Sequence, residues 1–209
     1  LQQSSAASDV YKRQHIPEIA RDIIEQISFE ARESELVDKK SGVSARMSIT
    51  SLQNLVSSAE RRMLINKEQI TSIRMSDFNS VISSINGKVE LVYEGEEEGA
   101  EQVSYNLISD AVKTLFTKYF PKIEKLTKPD EISVYDPILE WFTVIQLILR
   151  DDISNKDYES ILNKVKNADS ILNKIIPDID KKDKLFFIEF LLWGLESFNK
   201  LTIMRTNNG

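Results

Sequence analysis

The sequence predicts a mainly α protein: a helical bundle, then a second helical region, with one short strand near 89–93. Three observations carry this. Apolar residues recur at three- and four-residue steps through most of the chain. Only Lys88–Tyr93 alternates as a strand does, through Val89, Leu91 and Tyr93. Pro17, Gly42, Gly87, Pro121, Pro137 and Pro177 punctuate the helical pattern.

Taken in order, Ile16, Ala20, Ile23, Ile24, Ile27 and Ala31 form an apolar stripe, with Glu18, Arg21, Asp22, Glu25 and Arg32 between them. This is an amphipathic helix from about Pro17 to Glu33, with proline suited to the first turn. A polar loop, Glu35 to Val43, follows. Ile49, Leu52, Val56, Ala59 and Met63 then predict a second helix, capped by Ser44 or Ser48. Ser76-Asp77 opens a shorter helix through Phe78, Val81, Ile82 and Ile85, ended by Asn86-Gly87. The acidic stretch Glu94–Gly99 reads as a loop. A long helix runs from about Ala100 to Phe120, with Val103, Leu107, Ile108, Ala111, Leu115 and Tyr119 inward and Pro121 as its limit.

Residues 121–134 read as a linker. Beyond it, Asp136-Pro137 starts a helix, Ile138–Leu149, that is apolar nearly all round and expected to be buried. Ser154 and Asp157 have the spacing of a capping box and open a helix at Tyr158–Val165. Short Ser170–Ile176 precedes Pro177. The last helix, about Lys182–Leu201, carries Leu185, Phe186, Ile188, Phe190, Leu191, Trp193, Leu195 and Phe198.

Composition excludes several functions. The 209 residues include no Cys and one His, so there is no disulfide framework, no thiolate zinc site and little support for a Ser–His–Asp triad. Lys and Arg number 27 against 33 Asp and Glu, a net charge of −6 that argues against nucleic-acid binding. No apolar run reaches the roughly 20 residues of a membrane-spanning helix. Glu94, Glu96, Glu97 and Glu98 read as a solvated turn. Asp178, Asp180 and Asp183 lack the glycine and closing glutamate of a calcium loop. His15 reads as an ordinary exposed residue, and Trp141 and Trp193 as core.

One stretch carries more. Ser41 to Arg62, SGVSARMSITSLQNLVSSAERR, sets a glycine turn and a serine before a long helix, with Arg46 at its start. Backbone N–H groups there favour anions, and a guanidinium adds bidentate phosphate recognition. The same residues also fit a plain surface arginine beside a cap.

This segment resembles the lid motif of AAA+ ATPases in the group of magnesium-chelatase ATPase subunits and MoxR-like proteins. Arg21–Ser34 is similar to the preceding lid helix. Asn86–Gly99 and Leu185–Leu201 are similar to a longer magnesium-chelatase-like branch. The resemblance implies a lid-like helical domain over 15–120, a linker at 121–134 and a C-terminal helical domain over 135–209. It implies that Arg46 is a sensor-2-like residue contacting the ATP γ-phosphate, coupling hydrolysis to remodelling of a partner or to metal insertion. It further implies ATP and Mg²⁺ as cofactors of a full-length parent, a ring of AAA+ subunits, usually a hexamer, a partner protein and a cytoplasmic location. Arg61 and Arg62 lie ~23 Å further along the helix at 1.5 Å per residue, so they are expected at a lid surface or subunit contact. No residue here is expected to be catalytic or to bind metal, because the sequence contains no G-x-x-x-x-G-K-[ST] loop. Residues 1–14 look like a translated adapter, which makes the authentic protein a fragment starting near His15 and inactive as an ATPase by itself. The competing expectation is a stand-alone helical interaction module without ATPase activity.

Overall fold

The computed structural model describes residues 14–123 and 133–203. Most of the expected adapter and most of the expected linker lie outside the described residues. The protein is mainly helical. A strand β1 (Gln14–His15) leads into α1 (Glu18–Glu33), α2 (Arg46–Ile65) and β2 (Thr71–Ser72), then a 3-10 helix at Met75–Val81. Next come α3 (Ile82–Asn86), α4 (Tyr93–Glu98), α5 (Ala100–Tyr119), α6 (Asp136–Val144), α7 (Asn155–Leu162), α8 (Ala168–Ile175) and α9 (Lys184–Ser197). No helix among the described residues is long and apolar enough to cross a membrane.

Helix α1 buries Ala20, Ile23, Ile24, Ile27 and Ala31 of the expected stripe and Ile19 besides, while Ile16 precedes the helix and is half-buried. It lies along α5, which buries Val103, Leu107, Ile108, Ala111 and Leu115. Phe116 of α5 stands at the centre of an aromatic cluster. Its ring is stacked on Phe120 at 4.8 Å and meets Phe198 at 5.7 Å, Tyr135 at 5.9 Å and Phe190 at 6.3 Å. Helix α9 therefore closes over α5, and one connected set of buried side chains extends from Ile19 to Leu195. Gly194 permits that approach, since a Cβ there would sit 1.9 Å from Phe116 Cδ2.

Several expectations are corrected. Lys88–Tyr93 forms no strand; Leu91 makes a single antiparallel bridge to Val37. The only sheet among the described residues is the parallel pairing of Gln14 with Thr71 and His15 with Ser72. The acidic loop is instead the short helix α4, because Gly99, at φ +97°, provides the left-handed break that separates it from α5. The apolar run 138–149 is not a buried helix. Helix α6 stops at Val144, Ile145 is extended (φ −121°, ψ 129°), and only Ile138 is buried within α6. In α2 the buried face is Met47, Ser51, Leu55, Ala59 and Arg62, while Ile49 is 60% exposed. The apolar stripe that was read is rotated from the face that packs. The reason lies in Arg62, which has a partner inside.

Candidate functional site

Arg46 is the one residue the sequence singled out for ligand contact. Its position is built by the turn before α2. Asp38 accepts from the Ser41 hydroxyl at 2.7 Å and the Lys40 N–H at 3.0 Å, and the Asp38 N–H donates to Glu90 O at 2.9 Å. The Ser41 bond and then the Lys40 N–H hold the Asp38 carboxyl below its usual range. Gly42, at φ +68°, turns the chain toward the helix. The Ser44 hydroxyl accepts from the Arg46 N–H at 3.2 Å, one of the donors that a helix start leaves open. Ser48 does not cap; its hydroxyl pairs with Ser28 at 2.8 Å across the α1–α2 contact.

The Arg46 side chain is exposed and forms no hydrogen bond or ion pair with any described residue. The first turn of α2 carries no acidic residue. The positive end of a 20-residue helix and a guanidinium thus face solvent together, without an internal counter-charge. That arrangement suits an anion, and it brings no second functional side chain to Arg46.

Arg62 lies elsewhere than expected. It is buried, 3% exposed, rather than at a surface or subunit contact, while Arg61 is exposed. Its guanidinium pairs with Asp77 and donates to Ser72 O at 2.7 Å. Asp77 also accepts from Ser58 Oγ at 2.9 Å and from the Arg74 N–H at 2.8 Å. Arg74 is buried in turn. It donates to Ile153 O and Asn155 Oδ1, both at 3.0 Å, and lies 4.0 Å over the Tyr158 ring. Burial, and then the nearby Arg62 charge, bring its guanidinium down to about 10, so it stays charged at neutral pH.

Glu189 completes this centre. It is buried within apolar α9 and accepts from the Met75 N–H at 2.9 Å, the Ser76 N–H at 3.2 Å and the Tyr158 hydroxyl at 2.7 Å. Burial pushes its carboxyl up to about 7, against the hydrogen bonds that favour the charged form. Burial also pushes the Tyr158 hydroxyl well above its ordinary range, so it remains a donor. Four buried ionisable groups meet here, Arg62 and Arg74 with Asp77 and Glu189. Every carboxylate oxygen here has a donor, while Arg62 Nε is buried without a partner among the described residues. The centre is a structural tie that joins α2 and the 3-10 helix to α7 and α9.

Sequence reasoning missed this centre, although one signal was present. Glu189 is the only charged residue between Leu185 and Leu195, and a charge amid such an apolar helix calls for a buried partner. His15 is likewise no ordinary exposed residue: it is half-buried and paired with Asp183, joining β1 to the start of α9. Trp193 is buried, whereas Trp141 is half-buried with its ring edge-on to Phe142 at 4.8 Å. No group of acidic residues and histidine able to hold a metal occurs among the described residues. Comparison with protein-family models, curated proteins and solved structures gives no match.

Proposed function

We propose that this chain is the nucleotide-sensing lid and C-terminal helical region of an AAA+ ATPase of the magnesium-chelatase and MoxR-like group. Arg46 is its sensor of the ATP γ-phosphate. The observation that carries the reading is the exposed, uncompensated guanidinium at the start of a 20-residue helix, within the SGVSAR segment. A phosphate approaching there meets the helix dipole and a bidentate donor together, the Arg46 and Met47 N–H groups being bonded to Ser44. The buried tie supports a role in coupling. It fixes the far end of α2 to α7 and α9, so a displacement of Arg46 by nucleotide is shared with the C-terminal helices rather than absorbed by a loop. ATP and Mg²⁺ are held mainly by the phosphate-binding loop of the parent protein, and ring neighbours and a remodelled partner complete the assembly.

The test is the genomic sequence upstream of His15. An in-frame G-x-x-x-x-G-K-[ST] loop is expected, followed some tens of residues later by an apolar strand ending in acidic residues. Arg46→Ala in that full-length protein is then expected to lower ATP turnover by roughly ten- to a thousandfold, as loss of other preorganised charge contacts does. A start codon directly before His15, with no such loop, would overturn the reading. The second reading, a helical interaction module without ATPase activity, is favoured by one observation: the apolar segment after α6 is left uncovered.

A further inference from the structure

Glu189 is 2% exposed, in a run of apolar residues on α9. A carboxylate so placed ordinarily has a cation against it. Here both nearby arginines are committed elsewhere. Arg62 pairs with Asp77, and Arg74 donates to Ile153 O and Asn155 Oδ1 and lies over the Tyr158 ring. Among the described residues no cation forms an ion pair with Glu189. Hydrogen bonds alone contact it: the Met75 N–H and the Tyr158 hydroxyl on Oε2, and the Ser76 N–H, at 3.2 Å, on Oε1. The two amides are the first of the 3-10 helix, where a helix start leaves donors open, so Glu189 caps that helix from a different element.

The charges that bear on Glu189 are Arg74 and Asp77 from the 3-10 segment, and the Tyr158 phenol from α7. Arg62 of α2 faces Asp77. On α5, Tyr119 donates to Asp22 and Lys113 lies over Phe198; on α8, Asp169 takes Lys184; none of these bonds to Glu189. All three partners of the carboxyl are donors. That shell fits a carboxylate and offers no acceptor for a proton. A proton on Oε2 would displace the Met75 amide and turn the Tyr158 hydroxyl away, at a loss of two bonds. A proton on Oε1 displaces only the Ser76 amide, the longest of the three. Against that loss stands burial, which favours the neutral form. The two effects are opposed, and their balance holds the carboxyl at about 7.

We infer that Glu189 is a proton-operated clasp between α9 and the 3-10 helix: as the carboxylate it holds Met75 and Ser76 together, and on taking a proton at Oε1 it releases Ser76 while keeping Met75 and Tyr158. The 3-10 helix carries Asp77, the counter-ion of Arg62, so the released state loosens the link from α2 to α9. The fold as a whole is not weakened, because a neutral carboxyl costs less to bury than a charged one. Acidification through neutrality therefore raises global stability while it gives up one local bond. The clasp belongs to the buried centre and stands whether or not Arg46 meets a nucleotide.

The amide proton of Ser76, followed by NMR in the full chain from pH 5 to 9, tests it. Its shift is expected to titrate with a midpoint near 7 and to move upfield on acidification, as the bond to Glu189 is lost, while the Met75 amide stays hydrogen-bonded throughout. The protection of Ser76 from hydrogen exchange, corrected for the intrinsic rate, should fall at least about tenfold from pH 8 to pH 6. In Glu189→Gln the amide oxygen can keep Met75 and Tyr158, whereas its NH₂ group meets the Ser76 N–H donor to donor. Ser76 should then give the acid-end shift of the wild type at every pH. Tyr158→Phe removes a donor that favours the carboxylate, so the midpoint should rise by at least about half a pH unit; this variant decides the matter if Glu189→Gln does not fold. A Ser76 amide that does not titrate between pH 5 and 9 overturns the inference. So does one that still titrates in Glu189→Gln, or a midpoint that Tyr158→Phe leaves in place or lowers.

Discussion

Two stretches of this chain are almost equally apolar in sequence and have opposite fates. Residues 185–195, within α9, bury Phe186, Phe187, Ile188, Phe190, Leu191, Leu192, Trp193 and Leu195. Residues 138–149 bury Ile138 alone, and the helix they begin breaks off at Val144. The difference lies in what each can pack against. Helix α9 meets α5 through Phe116, Tyr119 and Phe120, and it also meets the 3-10 helix, α7 and α8. Helix α6 has no packing of comparable extent with any other element. α9 also carries Glu189, whose three donors on the 3-10 helix and α7 fix its rotation about its own axis. Hydrophobicity supplies a non-directional drive to leave water, and the geometry of partners decides which apolar segment satisfies it.

The comparison is broken most severely by truncating its buried side. Leu191 is fully buried, so Leu191→Ala is expected to cost about 3 kcal/mol in chemical denaturation, with the slope unchanged. A loss below about 1 kcal/mol would mean that α9 is packed no better than the segment after α6. The next effect is a pH dependence. The Glu189 carboxyl rises from 4.5 to about 7 on folding. A raised value means that its contribution to stability is full below about pH 4.5 and is lost as pH climbs through 7. The loss is on the order of 3 kcal/mol at most, since each unit of pKa is worth about 1.4 kcal/mol. Glu189→Gln should flatten that part of the stability profile while keeping the helical signal. A variant profile that parallels the wild type between pH 4.5 and 8 would place the titrating group elsewhere.

Gly194→Ala sharpens the same comparison by overfilling rather than emptying. The new methyl would fall 1.9 Å from Phe116 Cδ2, and Phe116 is itself buried, so neither side yields freely. A loss of about 2 kcal/mol is expected, even though alanine is by about 1 kcal/mol the better helix former. A gain in melting temperature would show that α5 and α9 are less tightly apposed. The smallest effect belongs to the uncovered segment. Ile148→Ala, measured where the chain is monomeric, should change stability by less than about 0.5 kcal/mol. A cost similar to that of Leu191→Ala would mean that the segment is buried in solution.

Helices α1 and α5 were legible in the sequence because each has one clear apolar stripe, and the structure buries those residues except Ile16 and Tyr119, which are half-buried at the stripe ends. Ser154 was legible as a cap, and its hydroxyl accepts the Asp157 N–H at 3.1 Å. Arg46 was legible as the start of α2, since glycine, serine and a following apolar period fix that boundary. The buried face of α2 was not. Its most informative residue is an arginine whose counter-ion, Asp77, lies 15 residues away on another element. Arg74, Glu189 and Tyr158 were hidden for the same reason: a charge reads as surface until its partner is found.

The sequence by itself determined where helices α1, α2 and α5 form and which residue types the chain lacks, because period, caps and breakers act over a few residues. Only the tertiary structure decided which apolar run is covered, which arginine faces water and which faces an aspartate, and how residues 14–123 share a core with residues 133–203. Those outcomes rest on pairings distant in sequence. Their free energy comes from desolvation and complementary charge, quantities that exist only once both partners are in place.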